Sequence, residues 1–153
     1  MIFAKNLVVA LRVAFVLLAA ASAGFAHDHA TGVVKERMEG METMAKAMKA
    51  IRRYLRANRN LEMVGPNARS IEALAKRMPA LFPPGTDRHP SEAKRAIWQN
   101  WADFESRARA FAVESQRLAE ADSRDATVIT AQARVVFDAC GDCHELYRAK
   151  RRH

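Results

Sequence analysis

The chain has only two cysteines, and both fall in "DACGDCHELY" (residues 138–147), three positions apart, with His144 directly after the second. Cys-x-x-Cys-His is the pattern of covalent c-type haem attachment. On a helix, positions three and four apart share a face. Cys140, Cys143 and His144 would then point the same way, two thioethers holding the porphyrin edge while the imidazole reaches the iron. Three other chemistries use a cysteine pair and fit less well. A Cys140–Cys143 disulfide would close a tiny loop and stabilise little. A thiol oxidoreductase needs a strand running into the start of a helix. A structural zinc usually takes four ligands, and no second Cys or His pair is spaced to complete the set.

The elements that must position this motif read as helices throughout, with no convincing strand alternation. A first helix is expected from about Thr31 to Asn58, its apolar seam running Val34, Met38, Met41, Ala45, Met48, Ile51 and Leu55. "EMVGPN" interrupts it, because glycine and proline punctuate helices. A shorter helix follows from Ala68 to Arg77, with Ile71, Leu74 and Met78 on one side. "MPALFPPGTDRHP" holds four of the five prolines and must be a loop. Ser91 is a suitable N-cap for a third helix whose seam is Ile97, Trp101, Phe104, Ala108, Phe111 and Leu118. "EADSRD" then breaks the pattern, and Ser123 or Asp125 can cap a last helix from about Ala126 to Lys150. Four amphipathic helices joined by two short links and one longer loop make an all-α antiparallel four-helix bundle. The motif sits deep in its last helix.

The N-terminus reads as an export signal. Lys5 and Arg12 are the only charges in the first 26 residues, and "VAFVLLAAASAGFA" follows, apolar and ending in small residues. That run falls short of the roughly 18 to 20 residues a spanning helix needs. Cleavage is expected after Ala23 or Ala26, with no membrane span left afterwards. Residues 27–153 then form one domain, with 23 basic residues against 17 acids, near +6. Such a chain can meet acidic protein partners or anionic lipid. Its basic residues are spread along the sequence apart from the "RAKRRH" tail, and nucleic acid is not an expected partner.

A Cys-x-x-Cys-His motif on the last helix of an exported four-helix bundle resembles the cytochrome c′ family, the class II c-type cytochromes. "VVKERMEGMETMAKAMKAI" on the first helix, "AIWQNWADF" on the third and "CGDCHELYRAK" on the fourth carry the resemblance. It implies one covalently attached haem c, with Cys140 and Cys143 as thioether donors and His144 as proximal iron ligand. Arg148, four residues after His144, matches the basic residue this family commonly places beside that histidine.

The resemblance also suggests a sixth ligand. In the five-coordinate branch a non-ligating side chain stands four residues after a first-helix arginine, and the iron binds nitric oxide or carbon monoxide. In the low-spin relatives of cytochrome c-556 type a methionine stands there. Here Arg37 is followed by Met41, so Met41 is the candidate sixth ligand, with Met38 and Met44 next. Spacing alone does not choose among them, since methionine is a common core filler. Arg37 is a possible propionate contact or a solvated arginine. Met44, Met48, Trp98, Trp101 and Phe104 read as core and haem wall, and Phe137 and Tyr147 as possible contacts to the macrocycle. Asp142, Glu145 and His89 read as surface, and His153 as an end.

The resemblance implies a periplasmic electron-transfer protein, not an enzyme, that meets redox partner proteins and can form a homodimer. A five-coordinate gas-binding protein is the alternative. A chain cut after Ala26 would begin His27-Asp28-His29, a nitrogen set suited to Cu(II) or Ni(II).

Overall fold

In the computed structural model, apolar residues recurring every three or four positions form helices along most of residues 30–150, which are the residues the structure describes. The export signal with its two cut sites, the His27-Asp28-His29 terminus and His153 lie outside them. Helix α1 spans Gly32–Ala57, α2 spans Val64–Arg77, α3 is a single turn at Ala96–Gln99, α4 spans Trp101–Glu120 and α5 spans Ala126–Tyr147. Helices α1, α2, α4 and α5 form the expected all-α four-helix bundle, running alternately up and down.

Local chemistry explains the ends. α1 stops at Asn58, which with Asn60 takes a left-handed backbone conformation (φ 44° and 58°) that asparagine tolerates better than most residues. The amides of Asn58 and Arg59 fold back onto the carbonyls of Leu55 and Tyr54. A 3₁₀ turn at Leu61–Met63 leads straight into α2, which therefore begins four residues before the expected Ala68. Pro66 is accommodated because the first turn of a helix needs no amide donor. Gly65 is needed for close packing, since a Cβ there would lie 3.0 Å from the Ala119 carbonyl oxygen. Asp125 caps α5, its Oδ1 accepting from the amides of Thr127 and Val128, each at 3.0 Å. α5 ends at Tyr147, three residues short of the expected Lys150.

The expected third helix is corrected at its start. Ser91 does not cap it; the chain runs on irregularly to α3, and Asn100 separates that turn from α4. The break shifts the helical phase, so Trp101 lies 36% exposed at the first turn of α4 while Ile97 and Phe104 stay buried. Phe104, Ile51, Ile71, Ile97, Leu118, Ile129 and Val136 form the centre of the core.

The seam of α1 is also corrected. The buried stripe is Arg37, Gly40, Met44, Ala47, Met48 and Ile51. Val34, Met38 and Met41 are half-buried, and Ala45 is exposed. The apolar arc of α1 is wider than one contact: one side packs on α2, with Gly40 against Leu74, and the other borders α5.

Candidate haem site

The helices do not pack evenly around the bundle. α2 and α4 are the most closely packed pair, α1–α2 and α4–α5 follow, and α1 and α5 barely touch. The seam between the first and last long helices, the α1–α5 cleft, is therefore the loosest of the bundle, and the Cys-x-x-Cys-His motif is on its α5 side. Cys140 and Cys143 are half-buried free thiols packed against the core, and His144 is exposed. The continuous helix through residues 140–144 brings all three onto one face. Gly141, between the thiols, has nothing within 4 Å of where a Cβ would be.

The electrostatics of the motif bear on its chemistry. Burial pushes the Cys140 thiol up to about 11, with Cys143 adding and Arg52 opposing. Burial likewise raises Cys143, against the pull of Arg107. Reactive thiols in oxidoreductases are shifted the other way. Although His144 is exposed, desolvation by the surrounding protein holds its pKa below the ordinary histidine value; Arg148 adds to this and Glu92 opposes it. The neutral imidazole is the form that binds a metal.

Across the cleft, the Arg52 guanidinium of α1 lies 4.5 Å from the centroid of the Phe137 ring of α5. Met41 is about 20° from Arg52 on a helical wheel, so both belong to the face of α1 that borders α5. Met44 and Met48 point further toward the core and are buried. Phe137 is half-buried beside the motif. Tyr147, one turn after Cys143 on the same helix, is buried, stands edge-on to Phe104 and donates to Asp103 Oδ2 at 2.5 Å. Trp98 is half-buried and donates from Nε1 to the Phe82 carbonyl at 2.9 Å. Asp142, Glu145 and His89 are exposed, as expected.

Arg37 is buried at 4% exposure, which excludes the solvated alternative. Its Nη1 donates to the Leu81 carbonyl at 3.3 Å and Thr86 Oγ1 at 3.2 Å, and its Nη2 to the Thr86 carbonyl and Ser91 Oγ, each at 2.8 Å. The guanidinium carbon lies 4.4 Å from the centroid of the Phe82 ring. Its partners are all neutral, and among the described residues it has no salt bridge. Desolvation lowers its pKa from the ordinary arginine value. The hydroxyl of Ser91, which also accepts from the Ala93 amide at 3.1 Å, serves Arg37 in place of a helix.

Next to Ser91, Glu92 accepts from Arg148 Nε at 2.7 Å. Residues 92–94 and 147–149 form a small clasp. The Ala149 amide donates to the Glu92 carbonyl at 2.8 Å and the Lys94 amide to the Tyr147 carbonyl at 2.9 Å, and Ala93 and Arg148 form an isolated antiparallel bridge. Lys94 Nζ adds a bond to the Glu145 carbonyl at 2.8 Å. Sequence reasoning missed Glu92 and this clasp, and took Ser91 for a helix cap. The burial of Arg37 had a signal, since Arg37, Met44 and Ile51 recur at intervals of seven.

The residues fit a covalently held haem: two thiols and an imidazole on one helical face, at a cleft bordered by the half-buried side chains of Met41 and Phe137. Residues 32–148 match the family model described as Cytochrome C'. The chain is 30% identical over 120 residues to a cytochrome c-556 of Agrobacterium tumefaciens (strain II Chrys), covering 78% of this chain and 93% of that one. The fold is similar to the crystal structure of cytochrome c′ from Thermochromatium tepidum, with a TM-score of 0.72 and 31% identity over 77% of this chain and 95% of the other. It is also similar to a nitric oxide complex of a single-residue variant of cytochrome c prime from Alcaligenes xylosoxidans, with a TM-score of 0.69 and 25% identity over 78% and 94% of the two chains.

Proposed function

This chain belongs to the cytochrome c′ family, whose members carry covalently attached haem c, and we propose that it is a periplasmic electron carrier with His144 and Met41 as axial ligands. When bound, the haem supplies a one-electron iron couple whose potential is raised by His/Met ligation. Cys140 and Cys143 hold the group by thioether bonds. His144 would supply the proximal nitrogen, and Met41 would supply a thioether sulfur in competition with small gases.

One observation carries the choice of Met41. Arg37 on α1 and Arg148 just beyond α5 bind adjacent loop residues, Ser91 and Glu92. The two helices run antiparallel. One turn further into the cleft from each arginine, a rise of about 6 Å, stand Met41 and His144. Met38 is about 60° further round the helix, and Met44 is turned about 60° toward the core.

Arg37 is the proposed propionate contact, because it is a buried cation beside the cleft with only neutral partners among the described residues. The family supports the periplasm, and the signal-like pattern of the N-terminal sequence agrees with it. Lys49, Arg52, Arg53 and Arg56 on α1 and Arg134 on α5 are exposed along the rim of the cleft, and no acid lies between Glu42 and Glu62. That rim suits an acidic redox protein approaching the haem edge. A homodimer is also proposed, since a homologous cytochrome c′ dimerises.

The second reading is gas binding at a five-coordinate iron, favoured by the nitric oxide complex of the Alcaligenes relative. The visible spectrum of the reduced protein, taken before and after carbon monoxide, separates the two. A low-spin spectrum unchanged by carbon monoxide is expected. A high-spin spectrum that shifts on carbon monoxide would sink Met41 as ligand and favour gas binding.

A further inference from the structure

We propose that residues 82–95 are a strap that sets the separation of α1 and α5, with Arg37 and Arg148 as the positioning residues at its two ends. Direct packing does not set that separation, because these two helices barely touch. The strap does. On the α1 side, Arg37 donates to Thr86 and Ser91, and its guanidinium covers the ring of Phe82. On the α5 side, Glu92 binds the Arg148 guanidinium and the Ala149 amide, and Lys94 binds the Tyr147 and Glu145 carbonyls. The two attachments meet at consecutive residues, Ser91 and Glu92, so the link between the helices there is about one residue long, under 4 Å of backbone. Trp98 Nε1 ties the start of the strap, at the Phe82 carbonyl, to the turn before α4.

The arrangement is nearly symmetric. Arg37 stands four residues before Met41, and Arg148 four residues after His144. Each arginine therefore holds the strap one helical turn from a candidate axial ligand. Both attachments involve a charged side chain, and such hydrogen bonds are stronger and more directional than neutral ones. They fix a distance across a cleft that apolar packing leaves open.

The strap rests on the reading of the α1–α5 cleft as the haem site, but not on which residue is the sixth ligand, and its test keeps the two apart. The haem-loaded protein carries spin labels at cysteines introduced by Lys35→Cys on α1 and Arg134→Cys on α5; Cys140 and Cys143 are consumed as thioethers. A second pair, Lys76→Cys and Arg109→Cys, spans α2 and α4 as the control. Glu92→Ala and Ser91→Ala are each expected to broaden and lengthen the α1–α5 distance distribution, leaving the control unchanged. Glu92→Gln, which keeps an acceptor for Arg148, is expected to recover most of the original distribution. In a low-spin protein the two alanine variants should also bind carbon monoxide faster by about tenfold, the scale of one charge-assisted hydrogen bond. An unchanged α1–α5 distribution with a lowered urea midpoint would make the strap a source of stability only and overturn the proposal. Equal broadening in the control pair would overturn it too, as general loosening. A high-spin wild-type spectrum would remove Met41 as ligand while the distances still decide the strap.

Discussion

The two sides of this bundle are built differently. Between α2 and α4 the helices are in close contact, and Gly65 lets one backbone approach another near Ala119. Between α1 and α5 there is little direct contact, and charged side chains gripping a loop take its place. Apolar packing stabilises through area removed from water and tolerates no gap. A site that must admit a large planar group cannot be closed that way. The bundle therefore draws its stability mainly from one side, and the other, where the haem is proposed to sit, is held at its edge by directional bonds.

Substitutions on the two sides should separate these contributions. The largest loss of stability is expected from Phe104→Ala in the packed half, about 3 to 5 kcal/mol by urea or thermal unfolding, from cavity formation in a well-filled core. Met41→Leu on the open side should cost less than about 1.5 kcal/mol, because volume is nearly kept and the site is half-buried. Its effect belongs in the spectrum, where the reduced variant is expected to take up carbon monoxide. If Met41→Leu destabilised as much as Phe104→Ala, the contrast between the two sides would fail.

Asp125→Ala comes next, with about 1 kcal/mol expected from loss of the α5 cap. Its haem spectrum should not change, since the cap lies at the end of α5 far from the motif. The rim is then tested by Arg53→Glu with Arg56→Glu. These exposed changes should leave unfolding within about 0.5 kcal/mol. Electron exchange with an acidic partner protein should slow, most at low salt, where surface charges are least screened. A rate independent of both salt and these substitutions would remove the rim as the docking face.

The smallest effect is electrostatic and lies away from the cleft. The Arg124 side chain and amide hold the exposed Asp122 carboxyl down at about 2, against an ordinary value of 3.8. A depressed carboxylate pKa contributes stability above the ordinary value, and that contribution disappears as pH falls from about 4 toward 2. Asp122→Asn should flatten that part of the acid stability profile. An unaltered profile would leave this exposed pair without a role in stability.

Much of the α5 side was legible in the sequence because its interactions are local. Cys140, Cys143 and His144 share a face through helical spacing alone, and Asp125 caps amides two and three residues away. The prolines marked the irregular stretch for the same reason. α1 was less legible. Its sequence presents a broad apolar arc, and periodicity places Met38, Met41, Met44 and Met48 on it without saying which part meets α2 and which meets the cleft. Ser91 has the residue type and position of an N-cap, yet its hydroxyl accepts from an arginine 54 residues earlier in the chain.

The sequence by itself determined the four long helices, their order and the shared face of Cys140, Cys143 and His144, because each depends on neighbours within a turn or two. Only the tertiary structure decided that α1 and α5 stand apart, that Arg37 is buried against a loop and that Glu92 meets Arg148 across 56 residues. Those facts depend on the rotation and register of whole helices against one another. Many local patterns are compatible with several such arrangements, and the balance of packing on one side against charge-assisted bonds on the other selects among them.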